Sequence, residues 1–352
     1  MGVPGSDLIG FACAYTPLAL IHAAGFTPCR VLPTGDHPDQ AGRLLHDNLC
    51  PHVKRILDRA LQGDLPELAA MVFVNSCDAM RRLADAWKRV RPGDRTMLID
   101  LPVTAEPVAI DFFAGELTRF AGTLETWGGR KLERSALEES IGRYNRLAEL
   151  FDTLRECLRR GILEGGSAKM QEAYNRASTE SLEDTLEFLE SLATGPKGDE
   201  ASNRGVPVFV FGNVLPDPEV FALFESWGAR VVGDDLCTGS RLFAPLEIEG
   251  PGEIMSRLAR ALLARPACAR TIDPAGPGAM AEAVISGAEA CGARGIIGHT
   301  VKFCDPYLAR LPSMQVALRD AGWPILVLEG DCTMRSIGQQ RTRVEAFVEM
   351  LR

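Results

Sequence analysis

Close cysteine pairs are missing from this chain. Its ten cysteines, at 13, 29, 50, 77, 157, 237, 268, 291, 304 and 332, include no CxxC. Structural zinc usually draws its ligands from such pairs, so their absence weakens a zinc reading. No G-x-x-x-x-G-K-[ST] phosphate loop is present either, so any dependence on ATP has to come from another protein. Positive charge is also short. Lysines and arginines number 38 against 47 acidic residues, and the net charge of −9 gives no basic field for steering onto nucleic acid. No apolar run has the length of a bilayer-spanning helix; the nearest, residues 8 to 26, carries Pro17 and His22. Asp7, not a basic cluster, precedes it, so it does not read as a secretory leader. These absences predict a cytoplasmic chain with neither nucleic acid nor membrane insertion in its biology. In a reducing compartment the cysteines are not a disulfide scaffold. Buried thiols, a redox function, or a metal cluster assembled from distant positions remain.

What is present is a motif that occurs twice. AAMVFVNSCDAMRRLADAW, residues 69 to 87, and RGIIGHTVKFCDPYLARLPSMQVAL, residues 294 to 318, each run from an apolar stretch through Cys-Asp into a segment with helical spacing. A further apolar run follows each, RTMLIDLP and WPILVLEGD. Strand, loop, helix and strand are expected in both halves, with a cysteine at the carboxyl end of a strand. In open parallel α/β sheets, ligands bind at that edge. Cys77 and Cys304 are therefore the first candidate site residues. Cys50 directly precedes Pro51 and the periodic run HVKRILDRAL, so it too is expected at a helix N-terminus, where unpaired N–H groups lower a thiol pKa. Asp78 and Asp305 read as first-turn acids, with control of a nearby centre as the alternative.

In chain order, residues 8 to 25 suggest an early helix and FTPCRVLP a short strand. A helix over 111 to 127 carries Phe112, Phe113, Leu117, Phe120 and Leu124 on its apolar side, and a glycine stops it. Residues 132 to 192 hold long helices broken near GGSAK. TGPKGDEASNRG, residues 194 to 205, is a turn-rich boundary. The expected fold is α/β: two parallel-sheet domains of flavodoxin or Rossmann type, 1–130 and 204–352, joined by a helical segment, 131–203. Asp234, Asp235 and Cys237 end a strand in the second domain, as a site loop or a capped turn. Arg341 and Arg343 flank the last helix start and suit either an anion or plain surface. Of the histidines, His299 is placed near the site, in a loop before Cys304, and His52 is worth attention for following Cys50. His22, His37 and His46 read as packing or surface residues.

YTPLALIHAAGFTPCRV, CPHVKRILD, NSCDAMRRLADAW, GDDLCTGSR, VKFCDPYLARLPSMQVALRDAGWPILVLEGD and GQQRTRVEAF together resemble the 2-hydroxyacyl-CoA dehydratase and benzoyl-CoA reductase family, in particular its D-component-like subunits. The resemblance runs almost end to end. It implies a pair of flavodoxin-like domains with a low-potential iron–sulfur cluster in the cleft, and it points to Cys50, Cys77 and Cys304 as ligands of a [4Fe–4S] cluster, for which thiolates are the usual donors. It further implies dehydration of an acyl-CoA thioester through a ketyl radical, or reduction of an aromatic ring in the benzoyl-CoA branch. The partners it implies are a homologous dehydratase subunit or a second copy of the chain, and an ATP-hydrolysing iron–sulfur activator protein.

One position departs from the family. Where relatives often carry an acid after the early proline, this chain has Ala19, which suggests a partner-like subunit that relays electrons while another chain holds the substrate. Cys13, Cys237, Cys268 and Cys332 are additional candidate ligands. They raise the alternative of a double-cubane cluster, which in homodimeric relatives reduces small molecules and uses about six thiolates. A cluster-free binding or scaffold protein on the same fold is the other alternative.

Overall fold

The apolar runs of the sequence become eight short strands in two sheets, and every strand pair is parallel. The structure is a computed structural model that describes residues 6–35, 39–196, 198, 205–272, 276, 278–332 and 337–352. The first sheet holds β1 (Leu8–Phe11), β2 (Thr27–Arg30), β3 (Ala70–Asn75) and β4 (Thr96–Asp100) in the order β2-β1-β3-β4. Its helices are α1 (Leu18–Ala23), α2 (Pro51–Gln62), α3 (Asp78–Val90) and α4 (Pro107–Gly128). Three more, α5 (Arg134–Arg160), α6 (Gly166–Thr179) and α7 (Leu182–Thr194), lead to the second sheet. That sheet holds β5 (Val206–Gly212), β6 (Ala229–Asp235), β7 (Gly295–Val301) and β8 (Ile325–Gly330) in the order β6-β5-β7-β8. With it go α8 (Pro218–Ser226), α10 (Ala279–Ala290), α11 (Asp305–Asp320) and α12 (Arg341–Leu351), while α9 (Ile254–Leu263), which follows β6 in the chain, lies against the first half. Two parallel sheets flanked by helices make this an α/β fold.

Alternation along the strands shows why both faces are covered. Ala70, Val72 and Val74 of β3 enter the core under α4, while Met71 and Phe73 enter the core under α2 and α3. The second sheet repeats the pattern, with Val208 and Val210 toward α8 and α12 and Phe209 and Phe211 toward α10 and α11. Side chains with a period of two feed two cores at once, and so the strands read as continuous apolar runs.

Two local expectations need correction. Residues 8 to 25 are not one helix: Leu8–Phe11 is a buried central strand, and the helix begins only at Leu18. A short apolar run that pairs on both edges is drawn into the sheet whatever its helix propensity. On α4, Phe113, Leu117, Phe120 and Leu124 are buried as expected, but Phe112 is 52% exposed. One residue is a rotation of about 100° on a helix, so adjacent phenylalanines cannot share its inner face. Gly129 ends that helix in the left-handed conformation, at φ 66°. The boundary segment 194–205 lies largely outside the described residues.

The chain crosses between its halves after β6. α9 packs on α4, with Ile254, Leu258 and Leu262 in the same core as Leu117, Phe120 and Leu124. Tyr15 receives a hydrogen bond from the Cys268 N–H at 3.3 Å and bonds the Thr271 hydroxyl at 2.9 Å. This return path carries Cys268 and Arg270 to the carboxyl edge of the first sheet.

In each sheet the strand order reverses direction between the two central strands, which opens a crevice at their carboxyl ends. The ends of β5 and β7 approach closely there. A Cβ on Gly212, at φ 153°, would lie 1.8 Å from the His299 carbonyl oxygen. Gly212→Ala is therefore expected to cost about 3 kcal/mol or more, read as a lowered urea midpoint with little change in slope.

Candidate metal centre

The two crevices face one another across a single cavity of about 100 Å³. Six cysteines line it: Cys13, Cys50, Cys77, Cys237, Cys268 and Cys304. Cys13 follows β1 and Cys77 follows β3 in the first sheet, while Cys237 follows β6 and Cys304 follows β7 in the second. Cys50 arrives on α2 and Cys268 on the segment after α9. Cysteines separated by up to 291 positions (13 to 304) thus share one wall.

Local structure explains the aim of three of these thiols. Cys50, Cys77 and Cys304 are the N-cap residues of α2, α3 and α11, helices of 12, 13 and 16 residues. Pro51 excludes the helical conformation for the residue before it, so Cys50 is extended, with ψ 140°. The carbonyls of Cys77 and Cys304 accept first-turn hydrogen bonds from Arg81 at 3.2 Å and Leu308 at 2.9 Å. Each thiol faces first-turn N–H groups of its own helix, those of Val53 and His52 for Cys50, Met80 and Ala79 for Cys77, and Tyr307 for Cys304. Outside this triad a wider vestibule of about 550 Å³ opens, walled by Val103, Ile272, Phe303 and Arg310. The remaining thiols, Cys13, Cys237 and Cys268, line the inner cavity alone.

The expected lowering of the helix-initial thiol pKa values is outweighed by burial. Burial pushes Cys50 up to about 12, and the neighbouring Cys304 and Cys77 add to the rise. The first-turn N–H groups of Val53 and His52 oppose it without prevailing. Cys304 is likewise raised to about 12 and Cys13 to about 11, both chiefly by burial. Cys77 and Cys237 are raised for the same reason. Desolvation in an apolar wall outweighs the helix terminus, and thiolates facing one another repel. A bound cation would reverse that balance, because a coordinating thiol is deprotonated outright.

Three guanidinium groups share the wall with the thiols. Arg241 is paired with Asp235 at 2.9 Å and also donates to the carbonyls of Gly212 and Asp235 and to the Tyr307 hydroxyl. Arg270 donates to the carbonyls of Ser76, Leu101 and Pro102, and so braces the loops that follow β3 and β4. Arg30 donates to the Cys237 carbonyl at 2.5 Å and the Ala12 carbonyl at 3.3 Å. Asn213 accepts from the N–H groups of Val214 and Val301 through its Oδ1, tying together the ends of β5 and β7. The sequence patterns single out none of these four. An arginine inside an apolar strand end, TPCRV, is the one signal available.

Other expected residues lie elsewhere. Cys332, at φ 63°, packs beside Cys50 but does not line the cavity. His299 is a residue of β7 and not of a loop, is 2% exposed, and is absent from the cavity wall. His52 does line it, and burial with the nearby Arg30 charge holds its pKa down at about 3. Asp234 is a turn cap that accepts from the N–H groups of Leu236 and Ser240. Asp78 is exposed beside Arg81 and Arg82, and Asp305 opens α11. Arg341 pairs with Glu345 at 2.8 Å, and Arg343 donates to Gln340 and the Val327 carbonyl, so both suit a surface role. His22 bonds Ser140, His46 accepts from Asn48, and His37 lies outside the described residues.

Among the described residues, no three histidine, cysteine or acidic side chains converge on a point that would hold one metal ion. A polynuclear cluster makes a different demand, because its thiolates bind separate irons around the cluster edge. The cavity, with thiols spread over its wall, has that form.

Residues 13–351 match the family described as 2-hydroxyglutaryl-CoA dehydratase, D-component. The chain belongs to this family. Its relatives include the (R)-phenyllactyl-CoA dehydratase beta subunit of Clostridium sporogenes, 26% identical over 99% of this chain and 92% of that protein. The beta subunit of lactoyl-CoA dehydratase from Anaerotignum propionicum is 25% identical with the same coverage. A benzoyl-CoA reductase subunit of Thauera aromatica is 23% identical over 88% of this chain and 82% of that protein. Among the described residues, no helix is long and apolar enough to cross a membrane.

His299 yields a prediction about acid stability. Neither ring nitrogen has a hydrogen-bond partner among the described residues, and burial lowers its pKa from 6.5 to about 4. Below pH 6.5 the unfolded chain takes up a proton that the folded one refuses, so stability falls with pH until the folded group titrates near 4. His299→Leu is expected to fold at least as well at pH 7, since it removes an unpaired polar group. It should also lessen the loss between pH 7 and pH 5 by about 2 kcal/mol, read from urea midpoints at the two values.

Proposed function

We propose that this chain is the cluster-bearing subunit of an enzyme of the 2-hydroxyacyl-CoA dehydratase type, with an iron–sulfur cluster held between its two sheets. The observation that carries the reading is the convergence of six cysteines from both halves on the wall of one cavity. Their chemistry suits iron and sulfide, for which thiolates are the standard donors. Buried polar atoms without partners point the same way: Arg30 Nε and His52 Nδ1 are both orphaned, and both residues line the cavity. Cys50, Cys77 and Cys304 would be the ligands of a [4Fe–4S] cluster, with the vestibule on their outer side as the route of approach.

Bound there, such a cluster supplies single low-potential electrons. The chain's own residues do the rest. Ala12, Val53, Met80 and Val301 make the wall apolar and exclude water, which protects a reduced centre. Arg270 and Asn213 brace the loops that present Cys77 and Cys304. The inner cavity of about 100 Å³ is too small for an acyl-CoA, whereas the vestibule of about 550 Å³ outside the cysteine triad is of ligand size. Ala19, buried in α1, supplies no acid. The missing acid supports a division of labour in which a homologous partner chain, or a second copy of this one, provides it and holds the acyl-CoA. Without a phosphate loop here, ATP-driven electron supply falls to an activator protein, and the cytoplasm is the compartment that suits so oxygen-sensitive a centre. Reduction of a benzoyl-CoA-like ring is open to the same arrangement, given the relationship to a benzoyl-CoA reductase subunit.

A second reading is favoured by the further thiols, Cys13, Cys237 and Cys268. Cys268 bears electrostatically on Cys13 and Cys237 and also on Cys77 and Cys304, so the six thiols form one continuous group. Six thiols around one cavity would suit a double-cubane cluster and the reduction of small molecules. Iron and acid-labile sulfide per chain, measured after anaerobic purification, separate the readings. About four of each, lost in Cys50→Ala, Cys77→Ala and Cys304→Ala but kept in Cys13→Ala, supports a single [4Fe–4S] cluster. About eight iron, reduced by a change at any of the six, supports the double cubane. Natively folded protein that neither contains iron nor takes it up leaves a cluster-free binding or scaffold role.

A further inference from the structure

Arg30 stands at the carboxyl end of β2, an edge strand of the first sheet, and is 3% exposed. Its guanidinium reaches across to the second sheet, where Nη1 donates to the Cys237 carbonyl and Nη2 lies 3.8 Å from the Cys237 sulfur. Nη2 also donates to the Ala12 carbonyl, next to Cys13. Two cysteine-bearing loops, one from each half, are therefore held by one side chain.

The charge of Arg30 is not matched. Arg241, across the cavity, has Asp235 as an ion-pair partner, and Arg270, on the same wall, donates to three backbone carbonyls. Arg30 has no carboxylate within ion-pairing distance among the described residues, and its buried Nε has no hydrogen-bond partner. An isolated buried guanidinium is strongly unfavourable unless an anion lies beside it. The groups on this wall that become anionic are the cysteine sulfurs and whatever they ligate.

We propose that Arg30 is a positioning and charge-setting residue of the cysteine centre: it fixes the Cys237 loop against the first sheet and raises the reduction potential of the bound cluster with an uncompensated positive charge. This rests on the iron–sulfur reading and extends it to a residue that ligates nothing. Adding an electron makes the centre more negative, and a fixed positive charge in a dry wall stabilises the added charge. A donor near the sulfur acts in the same direction.

The test compares wild type, Arg30→Met and Arg30→Lys as anaerobically purified full-length protein, by iron content and by EPR-monitored redox titration. Arg30→Met is expected to be at least tenfold less reduced at a fixed potential, a midpoint about 59 mV lower for one electron. Arg30→Lys, which keeps the charge, is expected within about twofold of wild type, or about 18 mV. Iron lost in Arg30→Met but retained in Arg30→Lys also supports the proposal. Should the methionine variant prove insoluble, Arg30→Gln replaces it with the same expected lowering. Wild-type potential and iron in the neutral variants overturn the role of Arg30 and leave the iron–sulfur reading intact. Equal loss of iron in the neutral and lysine variants reduces Arg30 to a structural part and overturns its charge role. Wild-type protein that takes up no iron overturns the iron–sulfur reading, and this proposal falls with it.

Discussion

The structure depends on a topological constraint: in a parallel sheet whose order reverses between its central strands, the loops at the carboxyl ends must part, and a crevice opens between them. Here the constraint operates twice, in sheets ordered β2-β1-β3-β4 and β6-β5-β7-β8, and the two crevices share one cavity. Everything of chemical interest is delivered to that place. Cys13 and Cys77 come from the first pair of central strands, Cys304 and Asn213 from the second. α9 has a related consequence, since by packing on α4 it routes the following segment back across the first sheet and brings Cys268 and Arg270 to the same edge.

Desolvation then governs the chemistry of the wall. A helix N-terminus favours a thiolate by a modest amount, and three of these cysteines sit at such a terminus. Burial acts more strongly, so the thiols are raised well above their ordinary values. The same apolar wall makes the positive charges beside it costly. Arg241 answers with Asp235, while Arg270 and Arg30 have backbone carbonyls and no acidic partner among the described residues, and Arg30 keeps an unbonded Nε as well. Neutral thiols and an unmatched arginine are two sides of one imbalance, and an anionic metal–sulfur group would relieve both.

Much of the architecture is legible because parallel α/β sheets leave long apolar runs separated by amphipathic helices. NSCD and KFCDP announce themselves through repetition, and CP through the conformational demand of Pro51. The misreadings have equally local causes. Leu8–Phe11 is too short for periodicity to distinguish strand from helix, and strand pairing on both sides decides it. Phe112 reads as inward because an apolar residue beside a periodic stripe carries no sign of its own orientation. His299 resembles a loop residue near the site, but β7 extends through it and buries the ring.

The alternation of strands and helices, the family, and the placing of Cys50, Cys77 and Cys304 at the starts of helices can all be read along the chain, because they follow from local patterns of apolar spacing, proline and repeated motif. Which of the other cysteines join them depends on the packing of the folded chain. Cys13, Cys237 and Cys268 reach the cavity while Cys332 stops beside it, and Arg30 crosses between sheets to Cys237. Such neighbours are separated by long stretches of chain, and their meeting is set by how the two sheets and α9 pack, for which no local pattern exists.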